Sequence, residues 1–228
     1  PRNPTNFTPA TAVSTTSGFF NLLPFNGLIS VNPWVGLSEI IPEIAKSWKM
    51  SDDGLALTMQ LEEGVLYHDN PNVPATFNGG AIAGDEITCE DIQASVEWFV
   101  RPPKNEARNM TRGRQTMEHM TPATCPDGVL GHTVVLNFKV ALGKTMGALA
   151  AGHMRILDKD YIEWVKVDSP DARRASTGAN FAMMAGTGSF LPVEFQPEIM
   201  GKFTRNEGYW KTGFPLLDKW ESFVIKDY

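Results

Sequence analysis

No part of this 228-residue chain stays apolar for long. The most apolar stretch, Phe19 to Trp34, is interrupted by Pro24, Asn26, Asn32 and Pro33. That falls far short of the roughly 18 unbroken apolar residues a membrane-spanning helix needs. Positive charge is sparse too. There is no Lys/Arg block, and the nearest cluster, Arg108, Arg112 and Arg114, is diluted by Glu106 and Glu118. With a net charge of −6, this excludes a nucleic-acid partner. Cysteine is limited to Cys89 and Cys125, without CxxC or Cys/His spacing, so no metal site is expected. The two read either as buried free thiols or as one disulfide closing a loop around residues 101–124. The four histidines, His68, His119, His132 and His153, form no i, i+4 pair. GxSxG, HExxH and P-loop motifs are missing, and Gly186-Thr187-Gly188 lacks both the third glycine and the following helix of a dinucleotide fingerprint. Catalysis and a cofactor are therefore not expected, and a hydrolase using Asp or His ranks last among the readings. Internal repeats and low-complexity tracts are absent. The chain starts at Pro1 without an initiator Met or a signal peptide, which reads as a processed or trimmed product.

What is present is core-forming material. Hydrophobic residues make up 42% of the chain and include six tryptophans, enough for one large domain or two small ones. Residues 1–17, rich in Pro, Thr, Ser and Asn, read as an extended surface segment, and 18–31 as an apolar segment broken by turn formers. Pro42 suits the first position of a short helix, with Ile41, Ile44, Ala45 and Trp48 along one side. Ser51-Asp52-Asp53-Gly54 has the chemistry of a type I-like turn. After it, Leu55, Leu57, Met59 and Leu61 alternate with Ala56, Thr58 and Gln60, the period of a half-buried strand. Residues 69–86 read as a long loop and a candidate insertion. Thr88 with Asp91 three residues on reads as a capping-box helix start, with Ile92, Val96, Phe99 and Val100 as its stripe and Pro102-Pro103 as its end. Residues 104–131 carry no clear pattern. Val134, Leu136 and Phe138 alternate as a strand. Leu142, Met146, Leu149 and Ala150 suggest a helix, and Asp158 starts another with Tyr161, Ile162 and Val165 inward. Residues 168–185 read as a loop or short irregular helix. From Gly186 the pattern predicts two strands, a tight turn, an aromatic plug at Tyr209-Trp210 and a third strand. The sum is α+β, or mixed α/β with antiparallel hairpins.

Each functional candidate has a structural reading beside it. His68, next to Asp69 at a strand end, reads first as a histidine bonding a turn. Glu90 and Asp91 are accounted for by a helix start. Met183-Met184 reads as adaptable core filling, and Tyr209-Trp210 as a sheet plug before a ligand-stacking platform. Two sequons, at Asn6 and Asn109, are of a kind that arises by chance. Phe19, Phe20 and Asn21 combine an apolar pair with a short amide, a combination that suits either core or cleft lining.

The order of motifs carries further information. Pro42-Glu43-Ile44-Ala45-Lys46-Ser47-Trp48, Ser51-Asp52-Asp53-Gly54-Leu55 and Gln60-Leu61-Glu62-Glu63-Gly64-Val65-Leu66-Tyr67-His68-Asp69 occur in sequence. Ile87-Thr88-Cys89-Glu90-Asp91-Ile92 and His132 to Phe138 follow. Then come Gly186-Thr187-Gly188-Ser189-Phe190, Arg205-Asn206-Glu207-Gly208-Tyr209-Trp210 and Pro215-Leu216-Leu217-Asp218. This collinear series resembles the dipeptide/oligopeptide/nickel-type solute-binding proteins of ABC importers. It departs from their pattern at Glu62, Asn70 and Ser189. The resemblance implies a type II periplasmic binding protein-like fold, incomplete here. Residues 1–228 would be the N-terminal portion of the larger lobe, without the second lobe and the returning segment. It implies capture of a small solute, a peptide foremost, in an interlobe cleft without catalysis. The implied partners are a membrane ABC permease and the remaining part of the same protein or a completing chain. The implied location is periplasmic or extracellular, with a lipid anchor as an option. Phe19, Phe20 and Asn21 would face the cleft, and Gly186, Thr187 and Gly188 would offer close backbone approach to the ligand. The alternative is a structural or assembly subunit that reuses the lobe. A lone lobe would leave strand edges and apolar surface exposed.

Overall fold

In the computed structural model, residues 7–9, 15–101, 118–141, 145–152, 154–167 and 178–225 are described. The Arg108–Arg114 cluster, both sequon asparagines, Pro102-Pro103, Leu142 and His153 lie outside them. The helices are α1 (Thr15–Asn21), α2 (Cys89–Val100), α3 (Thr145–Ala150), α4 (Lys159–Val167) and α5 (Gly178–Ala182). The strands are β1 (Ile29–Asn32), β2 (Gly36–Pro42), β3 (Ala45–Met50), β4 (Ala56–Leu61) and β5 (Thr76–Phe77). They continue with β6 (Gly80–Ala81), β7 (Thr133–Asn137), β8 (Phe190–Gln196), β9 (Met200–Arg205) and β10 (Lys219–Phe223). The chain divides into two compact units. One is built from Pro1–Phe25, Leu66–Asp85 and Asp160–Tyr228, the other from Asn26–Val65 and Glu86–Lys159.

The second of these units holds the antiparallel sheet β3-β4-β7 and the hairpin β1-β2. In β4 the alternation of the sequence becomes burial: Leu57, Met59 and Leu61 are inside, opposite Val134 and Leu136 of β7. Asp53 makes the turn between β3 and β4. Its carboxylate accepts from Ser51 Oγ at 2.6 Å and from the Leu55 N–H at 3.0 Å, and Gly54 takes a φ of 70° that L side chains avoid.

Residues 42–48 are not the helix their spacing predicts. Pro42 ends β2, and Ala45 to Met50 form a strand. The apolar positions 41, 44, 45 and 48 match a helical stripe, but non-local pairing wins. The Ala45 N–H bonds the Leu28 carbonyl at 2.8 Å, and Trp48 lies opposite Met59.

α2 begins as the sequence predicts, with the Thr88 N–H held by Asp91 Oδ2 at 2.8 Å. The other oxygen of Asp91 accepts from the backbone N–H of Lys159, at the start of α4, at 2.8 Å. One buried carboxylate thus satisfies a donor 3 residues before it and another 68 residues after it. Cys89 and Cys125 are joined as a disulfide with a sequence separation of 36, which resolves the two alternatives left open by the sequence.

The first unit is organised around the sheet β10-β9-β8. Its core is aromatic: Phe7, Phe20, Phe181, Phe195 and Phe203 are buried and in mutual ring contact. Complete burial of such a side chain is worth about 1.5–3 kcal/mol. Residues 69–86, expected as a plain loop, contain the small hairpin β5-β6. A Cβ at Gly80 would come within 1.8 Å of an Asp160 carboxylate oxygen, so any side chain there would have to displace that carboxylate. In the same unit Phe214, Leu216, Leu217, Phe223 and Ile225 are exposed. No helix among the described residues is long and apolar enough to cross a membrane.

Candidate functional site

The sequence nominates two stretches of the first unit, Phe19–Asn21 and Gly186–Gly188. Phe19, Phe20 and Asn21 close α1 and separate by burial. Phe20 points into the aromatic core, 5.9 Å from Phe203 and 6.0 Å from Phe195 between ring centroids. Gly201 of β9 makes room for it, since a Cβ there would lie 2.2 Å from its ring. Phe20 therefore supports the fold from within and is corrected from cleft lining to core. Phe19 turns the other way, 41% exposed, with its ring 5.5 Å from that of Trp220 on β10. Asn21 is 2% exposed, and among the described residues neither its amide oxygen nor its amide nitrogen has a hydrogen-bond partner. Such a group costs on the order of 1–3 kcal/mol while it stays unsatisfied.

Gly186 and Gly188 do require close approach, but of the protein's own backbone. A Cβ on Gly186 would lie 2.3 Å from the Pro24 carbonyl oxygen, and one on Gly188 2.3 Å from that of Leu23. Thr187 between them is completely buried. Residues 23–25 occupy the space that the two glycines leave free.

The backbone from Ala182 to Phe190 is hydrogen-bonded almost throughout. Asn70 Nδ2 donates to the carbonyls of Ala182 and Met184 at 2.8 and 2.9 Å. The Tyr161 hydroxyl donates to Met183 at 3.1 Å, and burial pushes this phenol well above its ordinary pKa. The His68 N–H donates to the Gly186 carbonyl at 2.8 Å. Gly188 and Phe190 donate to the carbonyls of Pro24 and Leu23 at 3.0 and 3.2 Å. Asn206 adds its side-chain amide to the Gly188 carbonyl at 3.2 Å and its N–H to that of Ser189 at 2.8 Å.

His68 is the buried imidazole of this framework. Its Nε2 lies 2.8 Å from the Gly188 carbonyl oxygen, and its Nδ1 accepts from the Gly186 N–H at 3.4 Å. Burial lowers its pKa to about 4, against a smaller opposing effect of the Gly188 carbonyl. The geometry gives His68 a structural role, but not the turn-bonding one expected. Its partner lies 120 residues away and not in the adjacent turn. Asn70 and Asn206 escaped the sequence reading, because amides that serve distant carbonyls leave no local spacing to find.

Tyr209 and Trp210 are partly exposed, their rings 5.6 Å apart, with Lys211 Nζ 4.8 Å from the Trp210 ring centre. Among the described residues no group of three His, Cys, Asp or Glu is placed to hold a metal.

The aromatic-cored sheet, the antiparallel three-stranded sheet and the flanking short helices define part of a type II periplasmic binding protein lobe. The dipeptide-binding protein of Pseudoalteromonas sp. SM9913, solved in complex with Met-Leu, superposes with a TM-score of 0.77 at 19% identity. That match takes in 98% of this chain and 41% of the other. Residues 39–228 match the bacterial extracellular solute-binding proteins, family 5 (middle region), and the chain belongs to that family. Among curated relatives, the dipeptide-binding protein of Escherichia coli is 24% identical over 224 residues, 95% of this chain and 38% of the relative. Heme-binding protein A of Haemophilus influenzae is 22% identical over 219 residues, 93% and 37% of the two chains. The chain thus spans less than two fifths of the length of these two curated relatives.

Proposed function

We propose that this chain belongs to the solute-capturing component of an ABC importer and works by binding, with no bond made or broken. The observation that carries the reading is the family match over residues 39–228 on a fold of the same kind. In this reading residues 1–228 are the N-terminal portion of the larger lobe, and a second lobe closes over the solute in a hinged cleft that a membrane permease recognises. A peptide is the favoured solute, in keeping with the peptide ligands of several relatives. Location in the periplasm follows from the family, and a lipid anchor is an added option. Phe19 and Asn21 are the proposed ligand-facing pair, an exposed ring beside an amide with no partner of its own. Phe20, Gly186, Thr187 and Gly188 are proposed to hold that pair in place from behind.

Calorimetry on the intact gene product tests this, with di- and tripeptide mixtures, heme, nickel–histidine and oligosaccharides as separate arms. Saturable binding of a peptide, lost in Asn21→Leu, is the expected outcome. Absence of binding in every arm overturns the transport reading, and binding only of a non-peptide overturns the choice of solute.

A second reading, an assembly subunit completed by a partner polypeptide, draws on the exposed Phe214, Leu216, Leu217, Phe223 and Ile225. Co-purification of a second chain in fixed stoichiometry, with no solute bound, is its signature.

A further inference from the structure

Two ring nitrogens of His68 face backbone groups of opposite kind. Nε2 faces a carbonyl oxygen, which can only accept, so Nε2 carries the proton. Nδ1 faces an N–H, which can only donate, so Nδ1 is bare. The site therefore fits one species, the neutral Nε2–H tautomer. A second proton would set two N–H groups against each other across the 3.4 Å from Gly186 to Nδ1, inside a site closed to water.

We infer that His68 is a positioning residue for the Gly186–Gly188 segment, and that mild acid favours opening of this segment and of the Leu23–Phe25 turn bonded to it, because only the opened ring takes up a second proton. The coupling runs through backbone bonds already described. Gly188 and Phe190 donate to the carbonyls of Pro24 and Leu23, and these residues follow directly on Phe19–Asn21. Loosening the first therefore unseats the second. The inference concerns the backbone and holds whatever the solute is.

Among the described residues no charged side chain competes for control of the ring. Burial and the Gly188 carbonyl are the causes that move its pKa. Residues 182–190 and 22–25 contain no carboxylate, amine, guanidinium or imidazole. Of its neighbours in sequence, Tyr67 is buried and Asp69 is exposed. Beside Asn206, Arg205 and Glu207 pair with each other at 2.6 Å. The closed site holds off its proton to about pH 4, whereas a free imidazole takes it at 6.5.

Amide hydrogen exchange on the intact protein, corrected for intrinsic rates, tests the inference at several pH values from 7 to 4. Peptides covering 182–190 and 20–25 are expected to lose protection by roughly tenfold per pH unit below about 6.5. Peptides covering β4 and β7 are expected to keep theirs. His68→Gln, which can donate to Gly188 but takes up no proton, is expected to flatten the dependence. A protection that stays flat to pH 4 in the native protein, or an unchanged slope in the variant, overturns the inference. If the variant does not fold, nitrogen NMR of the native imidazole decides. An Nε2–H ring down to about pH 5 supports the assignment, and an Nδ1–H or doubly protonated ring at pH 7 defeats it.

Discussion

The polar groups buried in the two units differ in one respect. The unit around β3-β4-β7 buries a charge pair. Arg155 Nη1 lies 3.4 Å from Glu43 Oε1, which also accepts from Asn26 Nδ2 at 2.8 Å. Both partners are nearly fully enclosed, and burial lowers the Arg155 pKa while Glu43 opposes that shift. Apart from Asp160, the unit around β8-β9-β10 buries neutral polar groups, and three of them are His68, Asn70 and Asn21. Two of these spend their hydrogen bonds on backbone carbonyls, and the third spends none. Charges enclosed together must stay together, which makes a rigid junction that tolerates no loss of a partner. Neutral donors on a backbone segment make a junction that a single proton can undo. On this contrast the first unit is the one suited to respond, and the second the one suited to hold.

The largest effect should come from splitting the pair. Glu43→Leu or Arg155→Met alone is expected to cost about 3–5 kcal/mol in urea unfolding, because a buried charge is left without its partner. The double variant should recover most of that loss. If either single change costs no more than the double, the contrast between the units fails.

Next comes the disulfide. Replacing Cys89 and Cys125 by Ser reopens a loop of separation 36 and should cost roughly 2–4 kcal/mol, read by the same melts. Unchanged stability would mean that the second unit does not depend on its cross-link.

Acid comes third, and it acts on the other unit. The unfolded chain takes up the His68 proton at about its ordinary 6.5, while the folded ring resists to about 4. Stability should therefore fall as pH drops from 6.5 to 4 and this contribution should level off below, a total of at most about 3 kcal/mol. His68→Gln should remove that part of the slope, and Glu43→Leu with Arg155→Met should leave it.

The smallest expected effect carries an opposite sign. Asn21→Leu removes an unsatisfied buried amide at similar volume and should be neutral or stabilising by about 1 kcal/mol. A loss of more than about 2 kcal/mol would mean that the amide has a partner in the folded state. Stabilisation together with lost solute binding would mark Asn21 as a residue kept for function at the expense of the fold.

Elements whose signals are local were legible in the sequence. The Ser51–Gly54 turn, the alternation through Leu61, the Thr88–Asp91 start of α2 and the alternation of Val134, Leu136 and Phe138 all specify their own backbone. What misled was equally local. Pro42 and the spacing of Ile41, Ile44, Ala45 and Trp48 satisfy a helix, and only pairing with Leu28 and Met59 makes them strands. The surroundings of the candidate site were hidden for a related reason. Two glycines announce that something comes close, but not what, and the visitor is Leu23–Phe25. The Glu43–Arg155 pair joins residues 112 apart, and no spacing rule reaches that far. Family membership fared better, because it rests on the order of many weak motifs and tolerates errors in each.

Asp91 has a consequence for the order of events in folding. Its bond to Thr88 closes within a few residues and can form as soon as α2 nucleates. Its bond to Lys159 waits for a chain closure of 68 residues. The early bond fixes the carboxylate with one oxygen still to be used, so the helix that forms first presents a ready acceptor to the helix that arrives later. A short-range cap thus becomes a docking point in time as well as in space. Asp91→Asn, which weakens both bonds at once, should slow folding by less than it speeds unfolding.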